Sequence, residues 1–305
     1  VKRWLARYGE SETREMALAN NVVPKVSFRF NPARKPVEET LADLEERKIK
    51  IRPSRLTPSA FVVEDGSLLA KSEAVQKGWL YLQDEASQLI ARLALRMVAE
   101  IKPAKILDLC AAPGSKATLM ASELSADSFV VAADLHFHRL RTVKELSARL
   151  GVESVNPIRI DATRELPFAP ESFDLVLLDA PCSGLGTLQR NPEIKWRANE
   201  AKINELAVLQ KQLLLKASEQ VKPGGLLLYS VCSTEPEEGE EVVAWFRRQK
   251  GGYSDVTRER LDELGIEAAP IMTTTFGART FIHRHGAECF FVCALQKEGD
   301  QESKS

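Results

Sequence analysis

The sequence predicts an α/β protein built on a doubly wound, mostly parallel sheet, with a small α+β domain ahead of it. Two observations carry this expectation. From Lys105 onward short apolar runs alternate with segments of helical period, and several of those runs end in an aspartate followed by small residues. Alternation of this kind builds parallel sheets, whose ligands lie beyond the carboxyl ends of the strands.

The strands are expected at "KILDLC" (Lys105 to Cys110), "FVVAADL" (Phe129 to Leu135), "VNPIRID" (Val155 to Asp161), "FDLVLLDA" (Phe173 to Ala180) and "GLLLYSVCS" (Gly225 to Ser233). Continuous apolar runs of this length suit strands covered on both faces. Helices are expected over Lys116 to Leu124, His138 to Leu150 and Ala201 to Val221, the last stopped by the Pro and Gly of "KPGG". A final run, "ECFFVCAL" (Glu288 to Leu295), is expected to close the sheet as an edge strand. Residues 1–77 read as the small domain: a helix from Lys2 to Asn20, a strand "KVSFRFN" (Lys25 to Asn31), a helix from Val37 to Lys48, and short extended pieces. Residues 78–297 form the main domain, entered through a turn and a long helix, and residues 298–305 are a polar tail expected to be disordered.

Composition narrows the function. With 305 residues, 44% of them hydrophobic, the chain can bury a large core. The net charge of −1 carries no overall nucleic-acid signature, so any such contact rests on a local basic surface. No apolar run approaches the roughly 18 residues of a membrane span, and "VKRWLARYGE" is too charged for a signal peptide, so a cytoplasmic location is expected, with no membrane partner. "KRWLARYG" reads as the interior of a helix, and residues upstream of Val1 are expected. The five cysteines, Cys110, Cys182, Cys232, Cys289 and Cys293, are scattered without a CxxC pair, which argues for reduced thiols. "HRHGAECFFVC" offers two His and two Cys, but a strand does not readily converge them, so no metal is expected. Cys289 and Cys293 are expected to share a strand face and pack in the core.

"DLCAAPGSKATLM" puts an acid, Asp108, near the end of the first strand, then small residues and a glycine, then a helix start. Cys110, Ala111, Ala112, Pro113, Gly114, Ser115 and Lys116 therefore form a loop that a ligand can approach closely through the backbone. The loop is neither GxGxxG nor a P-loop. Asp134 follows 20 residues after Gly114, near the spacing at which an acid meets a ribose, and Asp161 and Asp179 end the next two strands. Each aspartate alone could be a turn former. Four together would repel a phosphate and welcome a ribose, an exocyclic amine and a sulfonium, and S-adenosylmethionine has all three.

Two thiols are expected at the same sheet edge, Cys182 in "DAPCSG" and Cys232 in "SVCST". Carbon 5 of a pyrimidine is a poor nucleophile, and a thiolate adding to carbon 6 turns it into an enamine-like carbon that can attack a methyl sulfonium. A cysteine beside an acid fits that need. "LDLCAAPGSKATLMA", "LLDAPCSGLGTLQRNPEIKWR", "LQKQLLLKASEQVKPGGLLLYSVCSTEPEEGEEVV" and "HRHGAECFFVCAL", with "RFN" and "YLQDEASQL" before them, resemble the motifs of the Sun-type (Fmu-type) RNA cytosine-5 methyltransferases over nearly the whole chain.

The resemblance implies a Rossmann-like, S-adenosylmethionine-dependent methyltransferase, lacking the N-terminal RNA-binding domain that precedes the catalytic part in ribosomal RNA members. It implies that Cys232 is the nucleophile and that Cys182 assists breakdown of the adduct. Asp179 would hydrogen-bond the cytosine, residues Cys110 to Lys116 would line the cofactor, Asp134 would take the ribose hydroxyls and Asp161 would lie by the adenine amine. Cys110 is expected to pack its sulfur in the core and present its backbone. RNA is the expected partner of a monomeric chain, with 16S ribosomal RNA first and transfer RNA as the alternative; a non-catalytic RNA-binding assembly factor is the alternative of a different class. Arg190, Lys195 and Arg197, with Trp196 among them, suit phosphate contacts and base stacking, and residues 1–77 are expected to add RNA-binding surface, with Lys2, Arg3 and Arg7 near one helix face. "EPEEGEEVV" reads as the acid-rich first turn of a helix.

Overall fold

The structure, a computed structural model, describes residues 1–57, 59–63, 66–265, 272–273 and 275–299. Most of the tail expected from residue 298 lies outside the described residues. The first sheet is antiparallel and takes β1 (Val26–Phe30), β2 (Ile51–Pro53), β3 (Ala60–Val63) and β4 (Leu80–Leu82) in the order β2-β3-β1-β4. Its apolar face holds Phe28, Leu44, Ile49, Val63, Leu69 and Leu80, with Leu44 supplied by the helix Val37–Glu46. Strand β4 lies just beyond residue 77 and pairs Phe28 with Leu82 and Phe30 with Leu80. The first helix, Lys2–Ala19, is broken at Gly9, whose φ of 78° and ψ of 177° suit a residue without a Cβ.

The second sheet contains β5 (Lys105–Asp108), β6 (Phe129–Asp134), β7 (Val155–Arg159), β8 (Phe173–Asp179) and β9 (Val221–Val231), all parallel and ordered β9-β8-β5-β6-β7. Alternate residues serve opposite faces, as the pleat requires. Ile106, Leu175, Leu177, Leu226 and Leu228 pack with Leu89, Ile90 and Leu93 of the helix Glu85–Met97 and with Met120 and Val143. Leu107, Val176, Leu178, Leu227 and Tyr229 pack with Leu213 and Leu214 of the helix Glu200–Glu219 and with Val242 and Phe246 of the helix Glu240–Gln249. A sheet covered on both faces is the doubly wound arrangement that the alternation implies.

Three details depart from expectation. The long helix ends at Glu219, and Val221 already pairs with Phe173, so "KPGG" is a bulge inside β9 and not the break between helix and strand. The bulge is anchored where Lys222 Nζ lies 2.6 Å from Asp174 Oδ1. The closing apolar run is not an edge: β13 (Phe291–Lys297) lies antiparallel to β9 on one side and is flanked on the other by β10 (Tyr253–Asp255) and β12 (Ala278–Arg279), with β11 (Met272–Thr273) outermost. Its first five residues are all buried, as a strand with neighbours on both sides requires. Because β13 starts at Phe291, Cys289 precedes it and packs with Met16 and Phe281, whereas Cys293 packs with the core under β9. The two thiols do not share a face.

Candidate active site

The carboxyl ends of β5, β6, β8 and β9 meet at one edge, and the first motif loop crosses it. Leu109 N–H donates to the Leu177 carbonyl at 2.9 Å and Ala111 N–H to the Ala133 carbonyl at 2.8 Å, so the loop is tied to both neighbouring strands. Gly114, with φ 100°, turns the chain into the helix Ser115–Glu123, and a Cβ there would stand 3.1 Å from Val143. Asp108 is almost fully buried and its Oδ1 has no partner. Burial first, then Asp179 and Asp134 nearby, push its carboxyl up to about 7 against the opposing pull of Lys116. Burial raises the Cys110 thiol far above its ordinary range, so that sulfur stays protonated and unreactive.

Each remaining acid is held locally. Asp134 Oδ1 accepts the His136 N–H at 2.9 Å, and Oδ2 lies 3.3 Å from Arg139, which also donates to the Ala112 carbonyl at 2.9 Å. Arg139 thus links the second strand end to the motif loop, a role that nothing in its helical sequence context announces. Asp161 accepts from the Thr163 hydroxyl at 2.6 Å and pairs with Arg164, and the Thr163 bonds hold its carboxyl below the usual carboxylate range. Asp179 Oδ2 is 2.6 Å from Lys116 Nζ and its Oδ1 accepts the Ser230 hydroxyl at 2.7 Å.

The two thiols come together. Asp179 and Ser230 pair across β8 and β9, so the loops that follow bring Cys182 and Cys232 side by side, their sulfurs 3.1 Å apart. The hydrogen bond with Cys182, together with burial and the nearby carboxylates of Asp179 and Glu288, raises the Cys232 thiol well above its ordinary range. Cys232 therefore rests as a thiol. The loops are interlocked at Gly186, whose N–H donates to the Cys232 carbonyl and whose carbonyl accepts the Cys289 N–H, each at 3.0 Å.

The basic residues divide. Arg190 is engaged: its Nε lies 3.1 Å from Glu288 Oε1 and its Nη2 3.3 Å from Asp84 Oδ2 and 3.0 Å from the Lys25 carbonyl. Lys195 reaches Asn21 Oδ1 at 3.1 Å, Arg197 is exposed, and Trp196 is 88% exposed. Arg3 pairs with Glu235 and Glu237, and Arg7 with Glu240, so these two cations hold the first helix over the loop after Cys232. Apart from Glu200, 3.6 Å from Arg3, their acidic partners come from "EPEEGEEVV", whose last two acids alone begin the helix Glu240–Gln249.

A family model described as 16S rRNA methyltransferase RsmB/F matches residues 96–296, well over half of the chain. The chain belongs to that family. A second model, the ferredoxin-like domain of the RsmF/B methyltransferases, matches residues 1–68. Among relatives of the RsmB/F family, the probable ribosomal RNA small subunit methyltransferase B of Bacillus subtilis (strain 168) is 30% identical over 301 residues, covering 98% of this chain and 66% of that protein. The ribosomal RNA small subunit methyltransferase B of Photorhabdus laumondii is 32% identical over 279 residues, covering 92% of this chain and 61% of its own length. The chain thus spans 61–66% of these relatives. The crystal structure of PH0851 superposes with a TM-score of 0.87 at 32% identity, covering 97% of this chain and 65% of that one. NSun6 from Pyrococcus horikoshii, crystallised with SFG, shares the fold at a TM-score of 0.81 and 20% identity over 98% of this chain and 97% of its own. Among the described residues no helix is long and apolar enough to cross a membrane.

Proposed function

We propose that the chain is the catalytic part of an S-adenosylmethionine-dependent RNA cytosine-5 methyltransferase acting on small-subunit ribosomal RNA. The observation that carries this reading is the pair of thiols 3.1 Å apart at the ends of neighbouring strands, beside the Lys116–Asp179 ion pair. A methyltransferase aimed at an amino nitrogen or a hydroxyl has no use for two adjacent sulfurs, and neither has a non-catalytic assembly factor.

The cofactor fits the residues present. Asp108 offers a buried carboxylate oxygen without a partner, Asp134 and Asp161 stand at the next strand ends, and residues 110–116 supply backbone at a sharp turn. These residues would hold S-adenosylmethionine, which when bound supplies an electrophilic methyl group on a sulfonium.

Cys232 first gives up its proton to solvent water. The hydrogen bond with Cys182 resists that loss, and the charge of the Lys116 ammonium favours the thiolate that results. The sulfur then adds to carbon 6 of cytosine, and the electrons of the 5,6 double bond make carbon 5 nucleophilic. Asp179, oriented by Lys116 and Ser230, hydrogen-bonds the ring nitrogen or amine and favours its protonation as electrons move onto the ring. After methylation the adduct loses the proton on carbon 5, the double bond reforms, and the Cys232 sulfur leaves. Cys182 assists that proton removal, directly or through water.

Covalent trapping tests the assignment. Incubation with ribosomal RNA and cofactor should leave Cys182→Ala bound to RNA on denaturing gels, whereas Cys232→Ala and the double variant should show no such species. Trapping in Cys232→Ala with none in Cys182→Ala would reverse the two roles. Bisulfite mapping of ribosomal and transfer RNA from cells with and without the gene identifies the substrate, and a modified transfer RNA alone would overturn the ribosomal assignment.

A further inference from the structure

Glu238 is fully buried and its carboxylate is surrounded by donors from both thiol loops. Oε1 accepts the Ser183 N–H at 2.8 Å and the Gln210 amide at 3.2 Å; Oε2 accepts the Ser183 hydroxyl and the Ser233 hydroxyl, each at 2.5 Å. Ser183 is the residue after Cys182, and Ser233 is the residue after Cys232. One carboxylate therefore holds both loops one residue past their sulfurs. The support is two-sided at Cys182, because Gln210 also donates to the Pro181 carbonyl at 2.9 Å. Glu238 itself is fixed through its own carbonyl, which accepts the Tyr229 hydroxyl.

We propose that Glu238 is a positioning residue: by bridging Ser183 and Ser233 it sets the spacing and mutual orientation of Cys182 and Cys232. The role rests on the two-thiol reading of the reaction above. A carboxylate suits it because it offers acceptors only, and four donors converge on it. An amide in its place turns an NH2 group toward two of those donors, so the two loops keep the Gly186 bond but lose their shared carboxylate anchor, while the side-chain volume is kept.

The spacing can be read without any methyl transfer. Phenylarsine oxide condenses with two neighbouring thiols, forming two As–S bonds and releasing water, so its affinity reports how well the two sulfurs are juxtaposed. Cys182 and Cys232 are both partly exposed and can be reached. The full chain should bind the arsenical tightly, with Cys182→Ala and Cys232→Ala as controls that lose this binding. Glu238→Gln should weaken it at least tenfold. The same variant should lower kcat for RNA methylation at least tenfold with KM for RNA within about twofold, because the groups that bind RNA are untouched. Should Glu238→Gln fail to fold, Ser183→Ala and Ser233→Ala decide the matter, since each removes one arm without stranding a charge, and each should weaken arsenical binding severalfold. Unchanged arsenical affinity in the variants that fold, with a lowered melting temperature as the sole effect, would make Glu238 a structural residue and overturn the proposal. If the wild-type protein methylates no cytosine yet its arsenical affinity depends on Glu238, the proposed reaction fails while the positioning role stands.

Discussion

Lys116 Nζ lies 2.6 Å from Asp179 Oδ2, joining the helix after the first motif loop to the end of β8. Burial alone would lower the Lys116 pKa, but Asp179 and Asp108 outweigh it and hold the ammonium charged. The lysine thus neutralises a site where buried carboxylates crowd together.

Replacing that lysine should cost more than one ion pair. Lys116→Met leaves Asp108 and Asp179 facing each other without a cation, and breaking a buried pair from one side is expensive; because Asp179 keeps some solvent contact, a loss of roughly 3 kcal/mol is expected. Urea denaturation at neutral pH measures it. A change below about 1 kcal/mol would show that water already screens the pair.

Gly186 should tolerate no side chain. A Cβ there would stand 2.0 Å from the Cys289 carbonyl oxygen and 2.9 Å from the Cys232 carbonyl carbon, both backbone atoms. Gly186→Ala must push the two loops apart and should destabilise by about 1–3 kcal/mol, as overpacking does. It should also weaken phenylarsine oxide binding by shifting Cys232. A variant with wild-type melting temperature and arsenical affinity would mean that the loops adjust freely.

These contacts mark the limit of what the sequence discloses. Both thiols and Asp179 follow apolar runs whose length and burial are plain in the sequence, so their meeting at one sheet edge could be read from alternation alone. Glu238 could not: its neighbours Glu237, Glu240 and Glu241 look the same, and only the folded loops select which acid turns inward. Arg3, Arg7 and Arg190 suggest an RNA surface by charge, yet their partners lie far along the chain, at Glu235, Glu240 and Glu288, where spacing carries no signal. The burial of β13 follows from its continuous apolar character, but its neighbour β10 has only three residues and is too short to announce itself.

The engagement of Arg190 changes what its removal should do. Arg197→Ala and Lys195→Ala should each flatten the salt dependence of RNA affinity by about 0.7 to 0.9 in log–log slope for a lost phosphate contact. Arg190→Ala should leave the slope unchanged and lower stability instead, because buried Asp84 loses its cation and Glu288 loses a hydrogen-bond donor. Filter binding across a salt series, paired with thermal melting, separates the two behaviours; a flatter slope for Arg190→Ala with unaltered melting would return it to the RNA surface.

Glu288 makes stability depend on pH in a direction opposite to that of an ordinary ion-paired acid. Burial, then the neighbouring Asp84, push its carboxyl up to about 8 against the pull of Arg190 and Lys116. In the unfolded chain a glutamate titrates near 4.3, so between that pH and about 8 the folded protein keeps a proton that the unfolded chain has lost. With more protons on the native state, unfolding free energy falls as pH rises, by at most about 1.4 kcal/mol per pH unit. The contribution is complete below the unfolded value and lost as pH rises through the folded one. His285, whose pKa burial lowers to about 4, acts in the other direction below pH 6.5, but it is present in wild type and variant alike. Glu288→Gln cannot titrate; it also relieves the neighbouring Asp84, whose carboxyl burial raises, and that change acts in the same direction. Its stability relative to wild type should therefore climb steadily from pH 5 to pH 8 and level off above, as read from urea denaturation at each pH. A difference that stays flat across that interval would show that Arg190 keeps Glu288 ionised throughout.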